Sequence, residues 1–197
     1  MATPAALGFK LHTGWAVVVA MTGASGEFEV LLRQRIELLP PGESIPRFVY
    51  HKAAELPPSQ AAALIERAQA ASQREASIAV KQVVGQLKSL GFVAKTAGVP
   101  CSTRSAPKDL AAALRSHPMI HTAEGAMFQR AVATACESCG LSVVSGRERE
   151  VWLSAAKTWG LKEVALRKQV DDLRKSVGAP WGTDQKVATA FALLALR

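Results

Sequence analysis

The chain is poor in cysteine, in aromatic residues and in acid. Three cysteines among 197 residues are too few, and odd in number, for a disulfide framework, which fits a reducing compartment. Aromatic residues make up 6%, whereas an all-β sandwich calls for more aromatic and β-branched side chains. The longest uncharged apolar runs, residues 15–21 and 187–196, fall far short of the roughly 18–20 residues that cross a bilayer, so no membrane partner is expected. Residues 1–8 carry neither the basic start nor the longer apolar core of a secretory signal, and a cytoplasmic location is expected. No phosphate-binding glycine loop and no Ser/His/Asp triad is identifiable.

Acid is outnumbered, with 16 Asp and Glu against 24 Lys and Arg, a formal net charge of +8. Long-range attraction and counterion release then favour polyanionic partners. What is abundant is apolar: 49% hydrophobic residues suffice for a substantial core in one large domain covering residues 1–197.

Residues 7–39 read as three antiparallel strands. A short segment at 9–11 turns over His12-Thr13-Gly14 into residues 15–21, and Thr22-Gly23-Ala24-Ser25-Gly26 leads into 28–38, where Phe28, Val30 and Leu32 share a face. Five prolines in 40–58 predict an irregular connection. Residues 59–90 follow a long helical pattern, open to a break near Ser72, in which Ala76, Val80, Val83, Leu87 and Leu90 step by four and three. A strand at 92–99, a loop at 100–107, a short helix at 108–115, a helix at 122–138 and a strand at 141–144 follow. Ser145-Gly146-Arg147-Glu148 has the form of a capping box opening a helix, and further helices span 163–177 and, capped by Thr183, the C-terminus. The expected fold is α/β, a mixed sheet of a three-strand antiparallel meander followed by strand–helix crossovers.

Three segments resemble the ribonuclease-H-like superfamily and, within it, the RuvC-type Holliday-junction resolvases. Leu7-Gly8-Phe9-Lys10-Leu11-His12-Thr13-Gly14-Trp15-Ala16-Val17-Val18 is similar to their opening hairpin. Thr122-Ala123-Glu124-Gly125 through Gly140-Leu141-Ser142-Val143-Val144 is similar to their helix-then-strand unit. Pro180-Trp181-Gly182-Thr183-Asp184-Gln185-Lys186-Val187-Ala188-Thr189-Ala190 is similar to their final helix. The resemblance implies phosphodiester hydrolysis by two divalent cations held by three or four carboxylates. The sequence departs from that pattern. Lys10 stands at the first acidic position, the strand at 92–99 offers Lys95 and no acid, and of the final pair only Asp184 remains. One carboxylate cannot hold two hard cations, so these three positions read as a degenerate site in which Lys10 is expected to meet Asp184, its ammonium taking the charge role of the lost cation.

Glu124 could substitute from another element, although its placement at a predicted helix N-terminus already suits the macrodipole. His12, His51 and His121 could assemble a different metal site, but their spacing does not make them converge. His117 and His121 are four apart with Pro118 between them, which reads as loop and cap rather than a helical ligand pair. Cys136-Glu137-Ser138-Cys139 closes a helix rather than opening one and reads as core. Arg67, Arg74, Lys81 and Lys88 recur every seven residues, drifting about 20° per step, and form a basic ridge suited either to a phosphate backbone or to solvent. Trp15, Trp152, Trp159 and Trp181 read as packed residues.

The reading that follows is a RuvC-like domain without catalysis, a binding or assembly module with nucleic acid as the expected partner and no cofactor. One alternative is a nuclease using Mg2+ or Mn2+ at an atypical site involving Asp184 and Glu124. Another is a protein–protein interaction or homo-oligomeric structural protein whose basic face is incidental.

Overall fold

The computed structural model describes residues 3–24, 27–42, 44–102 and 107–196. Ser25 and Gly26 of the second predicted turn and residues 103–106 of the predicted loop lie outside them. Five strands form one sheet: β1 (Thr3–His12), β2 (Trp15–Ala24), β3 (Glu27–Glu37), β4 (Phe92–Pro100) and β5 (Ser142–Gly146). Their order is β3-β2-β1-β4-β5. The first three pair antiparallel, while β1 pairs parallel with β4 and β4 with β5, which is the expected meander with crossovers. β1 is longer than its predicted segment. Its early residues show no alternation because the strand is central, and Ala5, Ala6, Leu7 and Phe9 are buried whichever face they point to.

Helices cover both faces. One carries α1 (Val49–Ala53), α2 (Pro58–Ser89), α3 (Leu110–Leu114) and α4 (His117–Ser138), packed on Leu7, Phe9, Val18 and Ala20. The other carries α5 (Val151–Thr158), α6 (Glu163–Asp172) and α8 (Thr183–Ala195), with α7 (Arg174–Val177) between the last two, packed on Ala6, Val17, Val19 and Met21. The helix α8 has the all-round apolar surface expected of a buried element. It lies so close to the sheet that a Cβ on Gly8 would overlap the Ala188 carbonyl oxygen and the Ala192 amide, and one on Gly98 would overlap the Phe191 carbonyl. Burial of Phe191 and Leu193, both 0% exposed, contributes roughly 1.5–3 kcal/mol each.

Several local expectations are corrected. The long pattern is one unbroken helix, α2, of 32 residues. Gly182, not Thr183, caps α8, its amide donating to Gln185 Oε1 at 2.9 Å. The capping box does not form: Ser145 pairs with Val99 in the sheet, and Glu148–Glu150 is a single 3₁₀ turn before α5 without a side-chain cap. The helix α4 starts at His117, five residues before the predicted start, with Pro118 in its first turn. Proline is tolerated there because the first amides of a helix have no intrahelical acceptor to lose. Among the described residues no helix is long and apolar enough to cross a membrane.

Candidate functional site

Alternation along β1 turns Phe9 and Leu11 towards α2 and α4, and Gly8, Lys10 and His12 towards the α8 face. Lys10 and His12 therefore stand side by side at the carboxyl end of the central strand. Lys10 Nζ donates to both oxygens of Glu148 at 2.8 Å. His12 Nε2 lies 3.0 Å from Asp184 Oδ2, in the first turn of α8, close enough for an ion pair although out of line for a ring N–H hydrogen bond. Trp15, opposite His12 in the hairpin, stacks on it with centroids 4.0 Å apart and planes 8° from parallel, and Arg35 Cζ is 4.1 Å from the Trp15 centroid.

The expectation that Lys10 meets Asp184 is thus corrected. Lys10 faces the side of the sheet that holds Asp184, but its partner is Glu148, and Asp184 belongs to His12. The ammonium takes both oxygens of a carboxylate delivered by the turn that follows β5. Lys95 is displaced altogether. A bulge between Ala5 and Ala6 leaves Lys95 without a β1 partner, and Gly98 is the residue that pairs with Gly8. The exposed Lys95 consequently lies several residues along the strand from Lys10.

A second group forms where α1 meets the start of α4. His117 and His121 share a face of α4, with ring centroids 4.4 Å apart, and His51 of α1 approaches both, at 5.2 Å and 4.7 Å. The expectation of a loop pair is corrected by the early start of α4, which brings residues four apart onto one side of the helix. Behind them Glu124, 3% exposed, accepts from the Tyr50 amide at 3.1 Å. Its Oε2 lies 3.3 Å from His51 Nδ1, again without linear alignment. Glu124 is two turns inside α4 rather than at its N-terminus. Burial raises its carboxyl above the ordinary range, opposed by the Tyr50 amide and then by His51 and His121.

A pocket of about 200 Å³ joins the two groups, lined by His12, Thr13, His121, Glu124, Gln129 and Glu148 among others. All four histidines of the chain thus gather at one end of the sheet. The two acids proposed for an atypical metal site, Asp184 and Glu124, reach this end on helices that cover opposite faces of the sheet, each beside its own imidazole. Glu148 and the convergence of His51 with His117 are the features the sequence reading missed. For the histidines a signal existed, Ser116 followed by a proline at the second helical position. For Glu148 none did, since 138 residues separate it from Lys10.

The remaining expected residues fall elsewhere. Arg67, Arg74, Lys81 and Lys88 are exposed along α2, spanning about 31 Å at the rise of an α-helix. Cys136 is fully buried, as its core reading required. Trp159 and Trp181 are packed, donating to the Leu193 and Val170 carbonyls at 2.8 Å.

No protein-family profile matches the chain, and no curated protein matches it. Among solved structures it is similar to RuvC of Thermus thermophilus in complex with Holliday junction substrate, at 14% identity and a TM-score of 0.51, covering 96% of this chain and 90% of that one. A second structure of Thermus thermophilus RuvC aligns at 13% identity and a TM-score of 0.48, over 96% and 92% of the two chains. The fold is RuvC-like. The five-stranded mixed sheet with helices on both faces is thus a ribonuclease-H-like architecture, and the pocket lies at the end of its central strand. Lys10 lies on the first strand of this sheet and Asp184 in the first turn of the last helix.

Proposed function

We propose that this chain is a nucleic-acid-binding domain of RuvC-like fold in which the carboxylate-held two-metal centre has been replaced by side-chain ion pairs, so that it binds without cleaving. The observation that carries the reading is Lys10, held by both oxygens of Glu148 on the strand where RuvC-type resolvases are expected to carry an acid. An ammonium there supplies locally the positive charge that a divalent cation would otherwise bring, and it consumes a carboxylate that could have been a ligand. The net charge of +8, the ridge on α2 and the likeness to a RuvC in complex with Holliday junction substrate support nucleic acid as the partner.

The test pairs a binding assay with a cleavage assay. Branched DNA is expected to bind at low salt and to survive incubation with Mg2+ or Mn2+, as are single-stranded DNA and RNA–DNA hybrids. Cleavage that disappears in Asp184→Asn would overturn the non-catalytic reading, and absence of binding at low salt would favour an interaction protein.

A further inference from the structure

From the arrangement of His51, His117 and His121 we infer that the chain binds one first-row divalent transition metal ion, of the zinc class, through these three imidazoles. This does not rest on the nucleic-acid reading and is tested separately from it. One ligand atom from each of the three residues falls within a group no more than 4.8 Å across. In a tetrahedral site with bonds of about 2.0–2.1 Å, ligand nitrogens stand roughly 3.4 Å apart. The rings therefore need to draw in by an ångström or so. His117 and His121 are exposed on the first turns of α4 and can do this by small side-chain rotations.

The three rings are mutually edge-on, with interplanar angles of 77°, 67° and 88°. This arrangement lets the nitrogens converge on a centre, which parallel stacking would prevent. Two histidines four apart on one helical face, with a third from a neighbouring element, are a common way to hold zinc. Nitrogen donors select zinc, cobalt, nickel or copper over magnesium and calcium, which demand oxygen. Three protein ligands leave a fourth position for water, and His121 lines the pocket that would receive it.

Glu124 supplies the supporting contact. Its buried carboxylate lies 3.3 Å from His51 Nδ1 but out of line with it. The ring rotation that draws His51 towards the metal would bring the two into alignment, placing the proton on Nδ1 and leaving Nε2 as the ligand atom, the arrangement in which a carboxylate orients a metal-binding imidazole. The Tyr50 amide fixes the other oxygen of Glu124, so the orienting group is itself held. Glu124 is a positioning residue in this scheme, not a ligand.

The tag-free full chain, freed of metal with chelator, is titrated with Zn2+ by calorimetry and with Co2+ by visible absorption. One equivalent of each is expected, with the intense absorption of low-coordinate cobalt. Loss of a carboxylate behind a metal-binding histidine costs about 10–100-fold in affinity, so Glu124→Gln should fall in that range while His117→Ala and His121→Ala should lose at least the upper figure. His12→Ala should bind as the parent does. Because only four histidines are present, NMR of the ring nitrogens resolves each without mutation. Three are expected to shift with Zn2+ and His12 to stay. No stoichiometric uptake of either ion, full uptake by His117→Ala and His121→Ala, or a shift at His12 in place of the other three would overturn the assignment.

Discussion

Lys10 Nζ bonds both carboxylate oxygens of Glu148 at 2.8 Å, across 138 residues of chain. The ammonium is 16% exposed and the carboxylate 46%, so the pair is half-screened and anchors the turn after β5 to the central strand. A double-mutant cycle with Lys10→Met and Glu148→Gln, read by urea unfolding, should give a coupling of about 1 kcal/mol, at the upper end for exposed pairs. A coupling indistinguishable from zero would reduce the contact to a surface coincidence.

Replacing the cation by an acid reverses the logic of the site. In Lys10→Asp a carboxylate would face Glu148 with no cation between them, and a loss of roughly 1–3 kcal/mol is expected in chelator. Millimolar Mg2+ or Mn2+ should restore part of this and raise Tm in the variant alone. An equal response from the parent chain would argue that this end of the sheet already takes a hard cation.

The basic ridge makes a quantitative claim about salt. Each phosphate contact adds about 0.9 to the magnitude of the slope of log affinity against log salt on duplex DNA. If the ridge tracks the backbone, the double variant Arg74→Glu and Lys81→Glu should bind more weakly, with a slope smaller by about two. Unchanged affinity and slope would remove α2 from the binding surface.

The sheet's contact with α8 depends on two glycines. Because a Cβ at Gly8 or Gly98 would overlap the backbone of α8, neither can be accommodated by a side-chain rotation. Gly8→Ala and Gly98→Ala should each destabilise by about 3 kcal/mol, the top of the usual range for overpacking, in urea unfolding. A loss within experimental error would mean that α8 can stand off from the sheet without cost.

Burial, followed by the neighbouring Cys139 and Glu137, pushes the Cys136 thiol up from 9.0 to about 12. Above pH 9 the unfolded chain loses this proton while the folded chain keeps it, so the folded state binds more protons and stability falls as pH rises towards 12. Cys136→Ala should make the pH dependence of unfolding shallower over that interval. In the native protein iodoacetamide at pH 8 should spare Cys136 relative to the less buried Cys101 and Cys139.

Much of the architecture could be read from local patterns. The strand meander, the long α2, the buried α8 and the core placement of Cys136 follow from periodicity and composition, because each depends on neighbours within a few turns or pleats. The opening hairpin was also legible, and with it the position of Lys10. Its partner was not, because the turn holding Glu148 reaches Lys10 only once β5 has paired beside β4. Lys95 fell outside the site for a similar reason, a bulge in a pairing between strands far apart in sequence.

By itself, then, the sequence determined the order of the elements, the apolar stripe of α2 from Ala76 to Leu87 and the burial of α8, all of which are local or compositional properties, whereas a bulge in the pairing of β2 with β3 turned Leu32 to the opposite face from Phe28 and Val30. Only the tertiary structure decided that Lys10 takes Glu148, that Asp184 takes His12, and that His51, His117 and His121 meet. Those contacts join side chains from separate elements, and the sheet and its packed helices must be in place before their distances have any value.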